Sequence, residues 1–364
     1  MINQIKNSNS INITIATDIN GNGGVATVLT GYQVSGFFDS TNTRLIATHK
    51  VGRLGRLGLI LNFLLAIAQL IIIFIKHRVG IVHIHMASRG SYSRKSIIVR
   101  MSKLLGAKVI IHLHGAEFQV FYNNESSSKK QSHIRSTFNL ADKVIVLSTQ
   151  WQQWLNTIVD TPSKTCVVYN AVPVLSLPQK TEEKDIILFL GRLGKRKGVD
   201  DLINAFSLIS QKYPNSELHL GGDGDEDFYN KVIVDLKLEG KVKLLGWVSG
   251  DDKAQHLANA SIYCLPSYNE GFPMGVLEAM SSKVSVVSSK AGGIPDAITD
   301  KQEGILIEAG DVDALAGALS DLLGNPELRE LYASAAFKKY TDNFSPEVIN
   351  AQLESIYDEL LAEA

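Results

Sequence analysis

Short apolar runs of strand-like composition alternate with longer segments of helical periodicity through nearly the whole chain. This alternation is typical of parallel sheets with helices on both faces. We therefore predict an α/β fold with two doubly wound units. The strands predicted for the first unit are Ile11–Ala16, Arg44–Thr48, Gly80–His85, Lys108–Leu113, Lys143–Leu147 and Thr165–Tyr169. Those predicted for the second are Asp185–Leu190, Glu217–Gly221, Val242–Leu245, Ser261–Leu265, Val284–Ser288 and Gly304–Ile307.

A polar segment separates the two sets of strands. It runs from Asn170 to Lys184, contains Pro173 and Pro178, and has the composition of an interdomain linker. The length of 364 residues also suits two α/β domains of common size. With the boundary near residue 180, the predicted parts are residues 1–180, residues 181–344, and a last helix over 345–364 that packs back on the first domain.

The segment Leu57–Ile75 is almost wholly apolar and long enough to span a bilayer. Against spanning, a strand-like run follows it without a loop, and basic residues at both ends give no orientation bias. Three interpretations stay open: a buried domain helix, an interfacial helix, or a transmembrane helix. The flanking basic residues are Arg53, Arg56, Lys76, His77 and Arg78.

Charge and cysteine content narrow the class of protein. The formal net charge of -1 offers no bulk positive field, so we expect no nucleic acid as a partner. Cys166 and Cys264 lie in apolar strand-like runs, which fits a reducing compartment better than a disulfide framework. The polar stretch Met1–Ser10 lacks the apolar core of a secretory signal. These features predict a cytoplasmic location.

A glycine-rich loop, Asp18–Gly24, follows the first predicted strand and leads into a helix near Val25. Glycines let the backbone approach a ligand closely, and free N–H groups at a helix start favour an anion. The loop is not a G-x-G-x-x-G sequence, so nicotinamide dinucleotide binding gains little support. A plain surface turn would have the same composition.

A basic loop, Gly191–Gly198, follows the first predicted strand of the second unit. Arg192 and Lys197 could converge on a diphosphate from opposite ends of this short loop, the first through a planar fork and the second as a point charge. A solvated basic loop is the alternative. Its place at the carboxyl end of a strand, where ligands of parallel sheets bind, favours phosphate.

The segment Asn269–Glu278 offers two carboxylates in different settings. Pro273 suits the first turn of a helix, which places Glu270 in the preceding loop and Glu278 within the helix. Glu270 would then lie near a reacting sugar, and Glu278 could accept two ribose hydroxyls. Backbone N–H groups at this helix start would receive phosphate oxygens. Acidic residues that merely complement the helix dipole are the alternative for either glutamate alone.

Four histidines follow or end two predicted strands: His83, His85, His112 and His114. Residues two apart point to one face of a strand, so the imidazoles could in principle bind a metal. No carboxylate or cysteine completes a set of familiar spacing, and we predict no metal site. Hydrogen-bonded strand ends and a single histidine that reaches a substrate are the other accounts. The acidic run Asp223–Asp227 is expected to cap a helix, because calcium-loop spacing is absent.

Together these segments resemble the family 4 glycosyltransferases of GT-B fold over nearly the whole chain. Gly23-Gly24-Val25 resembles the N-domain glycine loop, and His114-Gly115-Ala116-Glu117 the H-G-x-E site. Asn170 resembles the Asn that follows a strand before the linker. Gly191-Arg192 with Lys197-Gly198 looks like the diphosphate clamp, and Glu270 with Glu278 is the E-x7-E pair. The resemblance implies two Rossmann-like, doubly wound domains that face a central cleft.

The resemblance also implies roles for individual residues. Arg192 and Lys197 would stabilise the departing nucleoside diphosphate in place of a metal, so no metal or other cofactor is expected. Retention would proceed by front-face attack without a covalent nucleophile, and the two glutamates are not the acid and base of a hydrolase. The implied catalytic residues are His114, Glu270, Arg192 and Lys197. The implied donor-binding residues are Gly24, Arg192, Lys197, Glu270, Gly271, Phe272, Pro273, Gly275, Val276, Leu277 and Glu278. The implied acceptor-binding residues are Gly23, His85 and Asn170.

By the same resemblance, the reaction transfers a hexose-type sugar from a UDP- or GDP-sugar to a saccharide acceptor. The acceptor is expected to be free or linked to polyprenyl diphosphate, in cell-surface polysaccharide biosynthesis. The apolar segment suits peripheral docking to the anionic inner face of the cytoplasmic membrane. A GT-B sugar-nucleotide epimerase and a non-catalytic nucleotide-sugar-binding protein are the alternatives.

The sequence departs from the family pattern after Glu278. Lys283 replaces a helix-ending Gly, Ser285 replaces a Pro, and Ala171 stands where Gly is common after Asn170. We expect effects on local turn energetics rather than on chemistry.

Overall fold

The computed structural model describes residues 10–21, 23–49, 55–181 and 183–363. The predictions that involve Met1–Asn9, Asn22, Arg53 and the side chain of Arg56 lie outside the described residues. The chain forms two compact units, Met1–Asn170 with Pro346–Ala364, and Ala171–Ser345. The boundary between the units after Asn170 lies earlier in the chain than the boundary near residue 180 that linker composition indicates.

The first unit contains a parallel six-stranded sheet with the strand order β2-β1-β3-β4-β5-β6. Its strands are β1 (Ser10–Ala16), β2 (Thr43–Ala47), β3 (Arg78–Met86), β4 (Lys108–Leu113), β5 (Lys143–Val146) and β6 (Thr165–Val167). Its helices are α1 (Gly24–Val34), α2 (Phe37–Ser40), α3 (Gly55–Lys76), α4 (Gly90–Leu104), α5 (Phe118–Asn123), α6 (Ser128–Leu140), α7 (Thr149–Asn156) and, as α15, Pro346–Ala362.

The second unit repeats this plan, with the strand order β12-β11-β10-β7-β8-β9 and all pairs parallel. Its strands are β7 (Asp185–Leu190), β8 (Ser216–Gly221), β9 (Val242–Gly246), β10 (Ala260–Leu265), β11 (Ser285–Ser289) and β12 (Gly304–Ile307). Its helices are α8 (Val199–Ile209), α9 (Glu226–Asp235), α10 (Gly250–Asn259), α11 (Met274–Ser281), α12 (Ile294–Ala297), α13 (Val312–Gly324) and α14 (Pro326–Asn343). Each of the twelve predicted strands overlaps one of these strands, so the predicted α/β fold is confirmed.

Each sheet has one switch point, where the strand order reverses and connecting loops diverge. In the first unit it lies between β1 and β3, and in the second between β7 and β10. Ligands of open parallel sheets bind in the crevice at the carboxyl ends of such strands. The glycine loop, the basic loop and the Glu270 loop all follow these particular strands.

Helix α3 packs on the first sheet through a narrow stripe. Ala66, Leu70 and Ile73 are buried at helical spacing against the core, and the strand β3 begins at Arg78 almost directly after the helix. Only 17% of its most apolar 18-residue window is buried. The buried-helix interpretation is therefore wrong, because one stripe suffices to dock the helix and its opposite face stays outside the core. The exposed apolar residues are Leu57, Ile60, Leu61, Leu64, Leu65, Ile71, Ile72 and Ile75.

Helix α15 belongs to the first unit by its contacts. Ile349, Leu353, Tyr357 and Leu360 form a buried stripe on it, spaced at three and four residues. The hydroxyl of Tyr357 lies 3.0 Å from Nδ1 of His83 on β3. The last helix thus completes the core beside the histidines.

Candidate active site

Two loops at the switch point of the second sheet are joined by backbone contacts. Gly198 adopts a left-handed conformation (φ 69°), and a Cβ there would lie 2.1 Å from the carbonyl oxygen of Pro266. The amide of Tyr268 donates to the carbonyl of Arg196 at 2.9 Å, and the Arg196 guanidinium donates to the carbonyl of Asn269 at 3.0 Å. Glycine at this position therefore lets the loop after β7 lie against the loop after β10.

This junction brings Lys197 to Glu270. The Lys197 ammonium lies 2.5 Å from a carboxylate oxygen of Glu270, and the two side chains are 16% and 7% exposed. A mostly buried ion pair at a ligand crevice is costly to desolvate, so it provides a preformed pair of charges rather than much stability. Its neighbour Gly292 (φ 57°) permits a similar close approach, since a Cβ there would lie 1.9 Å from the Glu270 carbonyl.

Glu278 lies within α11, as predicted, but the helix begins at Met274 and Pro273 is its extended N-cap residue rather than part of the first turn. Its carboxylate contacts the ammonium of Lys253 on α10 at 2.5 Å, with side chains 10% and 22% exposed. Sequence reasoning did not identify Lys253, because the two residues lie on different helices and nothing in their spacing links them. In the described part of the chain, both site glutamates are thus paired with a lysine.

At the start of α11, backbone N–H groups rather than side chains are available to bind a ligand. The first four N–H groups of a helix lack acceptors within it. The side chains of Phe272, Val276 and Leu277 are buried in the core, so these predicted donor-binding residues could meet a ligand only through their backbone. A Cβ on Gly275 would lie 2.1 Å from the hydroxyl of Tyr263, which explains the glycine at this point.

Tyr263 reports on the electrostatics of this crevice. Its hydroxyl donates to the carbonyl of Leu190 at 3.3 Å. Burial, followed by the negative charges of Glu278 and Glu270, raises the pKa of Tyr263 well above its ordinary value. The phenol is therefore close enough to both carboxylates for their charges to raise its pKa, and it stays protonated.

The structure does not bring every predicted residue of the second unit together. Arg192 is exposed, and among the described contacts its guanidinium makes no ion pair with Glu270 or any other carboxylate.

Asp225, in the acidic run, caps α9 by accepting from the amide of Phe228 at 3.0 Å. The capping prediction is confirmed.

In the first unit, Gly23 and Gly24 form the start of α1. Gly23 has φ 118° and precedes the helix, and Gly24 is its first residue. A Cβ on either glycine would meet no atom of the described residues within 4 Å, so these residues leave the space beside this helix start open. Asn170 is buried after β6 and is the last residue of this segment of the unit.

The four histidines form a stacked cluster on β3 and β4. His85 Nδ1 lies 2.8 Å from His114 Nε2, and His83 Nε2 lies 3.2 Å from His112 Nδ1. Neighbouring rings are nearly parallel, with centroids 4.2–5.3 Å apart. Burial is the main cause that lowers the pKa of His83 and of His114 to about 3. The rings are therefore neutral at physiological pH.

Ring nitrogens of His83, His85 and His112 lie within 4.8 Å of one another, as a metal site would require. Imidazole binds a metal through a lone pair in the plane of the ring, and nearly parallel rings do not aim these lone pairs at one point. Hydrogen bonds between the rings already use several of the nitrogens. The arrangement favours the hydrogen-bonded account and leaves His114, which is only half-buried, as the member able to reach a ligand.

Comparisons with known proteins match both units. A family model described as Glycosyltransferase Family 4 matches residues 26–174, and one described as Glycosyl transferases group 1 matches residues 177–339. An uncharacterized glycosyltransferase of Methanocaldococcus jannaschii is 29% identical over 63% of this chain and 64% of its own length. The phosphatidyl-myo-inositol mannosyltransferase of Mycolicibacterium smegmatis is 31% identical over 47% of this chain and 44% of its own length. The chain thus spans less than two thirds of these curated relatives.

Two solved structures share the fold over nearly all of this chain. Sucrose-phosphate synthase from Thermosynechococcus elongatus has a TM-score of 0.80 and 17% identity, and covers 97% of this chain and 100% of its own. Anabaena HepE in complex with UDP-glucose has a TM-score of 0.72 and 21% identity, with the same coverage. The two units, each built on a sheet of parallel strands, therefore define a GT-B glycosyltransferase fold. Within that class, the chain belongs to the family 4 glycosyltransferases, joined to a group 1 C-terminal domain, as the motifs predicted.

Proposed function

We propose that the protein is a retaining glycosyltransferase that moves a hexose from a UDP- or GDP-sugar to a saccharide acceptor. The observation that carries this is the buried Lys197–Glu270 pair at the switch point of the second sheet. An ammonium fixed there can stabilise the negative charge that develops on a departing diphosphate. HepE, of the same fold, was crystallised with UDP-glucose, which makes uridine the first base to test.

The site residues divide the work. Lys197, with Arg192 drawn in from solvent, would hold the diphosphate without a metal, while the amides at the start of α11 receive its oxygens. Glu278 would accept ribose hydroxyls, and Glu270 would accept sugar hydroxyls. In line with the family resemblance, neither carboxylate is assigned as a covalent nucleophile, and the leaving phosphate would help to deprotonate the acceptor.

The first unit would hold the acceptor. His114 is neutral and half-buried, so it would exchange neutral hydrogen bonds with a sugar hydroxyl rather than act as a cation. Gly24 would approach the phosphates, because the space beside it is open. Gly23, His85 and Asn170 would lie on the acceptor side.

The acceptor is proposed to be lipid-linked, with the protein docked on the cytoplasmic face of an anionic membrane during surface polysaccharide synthesis. The outward face of α3 is apolar and exposed. Beside it lies a cavity of about 640 Å³, lined by aliphatic side chains and by Arg44, Gln69, Lys76 and His77, without a carboxylate among its described lining residues. Such a surface suits lipid tails and anionic headgroups.

A thermal-shift panel of UDP, GDP and ADP tests the donor. A nucleotide at about 100 times its dissociation constant should stabilise the protein by about 2.7 kcal/mol. Incubation with the matching sugar nucleotide and lipid extracts, followed by NMR of the product, should give the anomeric configuration of the donor. Release of an altered free monosaccharide without an acceptor would instead establish the epimerase alternative and overturn the proposal.

A further inference from the structure

Lys95 occupies a core position of α4. The buried residues of this helix include Tyr92, Ser96, Ile98 and Val99, which recur at helical spacing, and Lys95 lies among them with 4% exposure. A buried ammonium is ordinarily paired with a carboxylate. In the described part of the chain, no carboxylate forms an ion pair with Lys95 or with its neighbour Arg94, whereas Lys103 on the same helix pairs with Asp142 at 2.8 Å.

The hydrogen bonds around Lys95 leave donors without acceptors. Its ammonium donates to Ser91 Oγ at 3.0 Å, and the amide of Ala87 donates to the same oxygen at 3.1 Å. A hydroxyl that accepts two bonds still has its own proton to give, and an ammonium has three N–H groups. Arg94 Nε is buried and has no hydrogen-bond partner among the residues that the structure describes. Three neighbouring side chains therefore present donors to the same region.

This region is the switch point of the first sheet. Ala87 and Ser91 follow β3, which neighbours β1 at that point. The amide of His114 donates to the carbonyl of Met86 at 2.8 Å, and a Cβ on Gly115 would lie 3.0 Å from the amide nitrogen of Ser88. The loop before α4 therefore lies against the H-G-x-E loop, in the crevice where ligands of such sheets bind.

The charge interactions recorded for Arg94 and Lys95 are with other basic groups, whereas the carboxylates of Glu117 and Glu125 in this region pair with Arg89. Burial first, and then the charges of Arg94 and Lys95, lower the pKa of His49. The pKa of His85 and of His114 is likewise lowered by burial, neighbouring histidines and Lys95. A cationic crevice of this kind has a large electrostatic gain to make from an anion.

We propose that Ser91, Arg94 and Lys95 form a binding site for a phosphate group of the acceptor. A hydroxyl, a guanidinium and an ammonium together match the several oxygens of a phosphate dianion. The substrate class is then an acceptor that carries phosphate near the hydroxyl that receives the sugar, as in a saccharide joined to a lipid through diphosphate. This rests on the proposed function, in which the first unit holds the acceptor.

Pyrophosphate titrated into the full chain saturated with UDP tests the site by calorimetry, because UDP fills the second unit. Wild-type protein should bind pyrophosphate, and Lys95→Met and Arg94→Gln should each weaken it at least tenfold. Lys103→Met, a matched lysine at the far end of α4, should stay within twofold. Lys95→Met should also unfold at an equal or higher temperature than wild type at pH 7, since it removes a buried charge without a carboxylate partner.

Sulfate provides a pH profile, because its charge is constant between pH 6 and 9. Burial, followed by the charge of Arg94, lowers the pKa of Lys95 to about 7. Sulfate affinity should therefore fall by about tenfold per pH unit above pH 7. Above pH 7 the neighbouring groups keep their charge states: Arg94 stays charged, and the pKa of His49, His85 and His114 is lowered from its ordinary value, first by burial.

The remaining outcomes of these titrations would each contradict a specific claim. Wild-type protein that binds UDP but no pyrophosphate overturns the phosphate site alone. Undiminished pyrophosphate binding by Lys95→Met, or a flat sulfate profile, also overturns it. If glucuronate bound more tightly than pyrophosphate, the site would prefer a sugar carboxylate to a phosphate, which would contradict the proposal. Failure of wild type to bind any nucleotide overturns the proposed function, and the difference in pyrophosphate affinity between wild type and Lys95→Met then tests the phosphate site separately.

Discussion

Lys197 contacts Glu270 at 2.5 Å although the two residues lie on loops that follow different strands, β7 and β10. The pair sits where the strand order of the second sheet reverses. An incoming diphosphate would compete with Glu270 for the ammonium, which frees the carboxylate for sugar hydroxyls. The ion pair is thus a resting arrangement from which both proposed roles follow.

Lys197→Ala should lower kcat by about 10²–10³-fold, because it removes a preorganised charge that stabilises the leaving group. Initial rates with the donor found in the nucleotide panel would measure this. Lys195→Ala is the control, since Lys195 is exposed in the same short 3₁₀ turn and should retain wild-type turnover. Unchanged turnover in Lys197→Ala would refute its place in the clamp.

Lys253→Met should weaken nucleoside diphosphate binding by at least tenfold. It leaves the buried Glu278 carboxylate without its cation, which should also cost about 1–3 kcal/mol of folding free energy. Calorimetry and urea unfolding would measure the two effects. The exposed Lys231→Met on α9 is the matched control, and equal affinities in the two variants would show that Lys253 does not support Glu278.

Replacement of Leu61, Leu64 and Leu65 by serine should reduce co-sedimentation with phosphatidylglycerol vesicles at least tenfold. These side chains are 50–58% exposed on the outward face of α3 and add little to the core, so the variant should fold. Binding by wild type should also decline with added salt. Leu331→Ser, equally apolar and 63% exposed on the second unit, should sediment as wild type does. Vesicle binding that survives the triple change would rule out docking through α3.

Acidification should destabilise the first unit through its histidines. The native pKa of His83 and of His114 is about 3, mainly because of burial, whereas an unfolded histidine titrates near 6.5. The unfolded state therefore binds more protons below pH 6.5, and stability is lost as pH falls toward about 3. Each of these two histidines should lower the free energy of unfolding by about 2 kcal/mol at pH 5 relative to pH 7.5.

Urea unfolding at pH 7.5 and pH 5 would measure this loss. His114→Gln should recover about 2 kcal/mol of it, because the glutamine cannot take up a proton in either state. A His114→Gln variant as acid-sensitive as wild type would contradict the assigned cause.

Lys283→Gly should stabilise the protein by about 1 kcal/mol. Lys283 has φ 55° after α11, and the bonds from Lys283 to Met280 and from Val284 to Ala279 form the helix-ending pattern that favours glycine. Its ammonium lies 4.8 Å from the ring centroid of Phe337. Lys283→Ala, which loses that contact but keeps the strained φ, should not stabilise, and thermal unfolding of both variants separates the two effects.

The sequence by itself determined the twelve strands, the division into two α/β units and the elements that carry Glu270 and Glu278. These follow from local rules: the spacing of apolar residues, proline at a helix start, and glycine after a strand. The acidic cap at Asp225 could be read for the same reason. Strand order then placed the predicted loops at the two switch points.

Only the tertiary structure decided which side chains meet and which are buried. Lys253 reaches Glu278 from another helix, and Lys95 is buried beside the crevice of the first sheet although its own segment reads as polar. Conversely, the sequence of α3 left a buried, an interfacial and a transmembrane helix open, and the structure shows that a single stripe packs on the core while the rest is exposed. Local periodicity fixes the type of element, whereas charge pairing and burial depend on contacts between residues far apart in the chain.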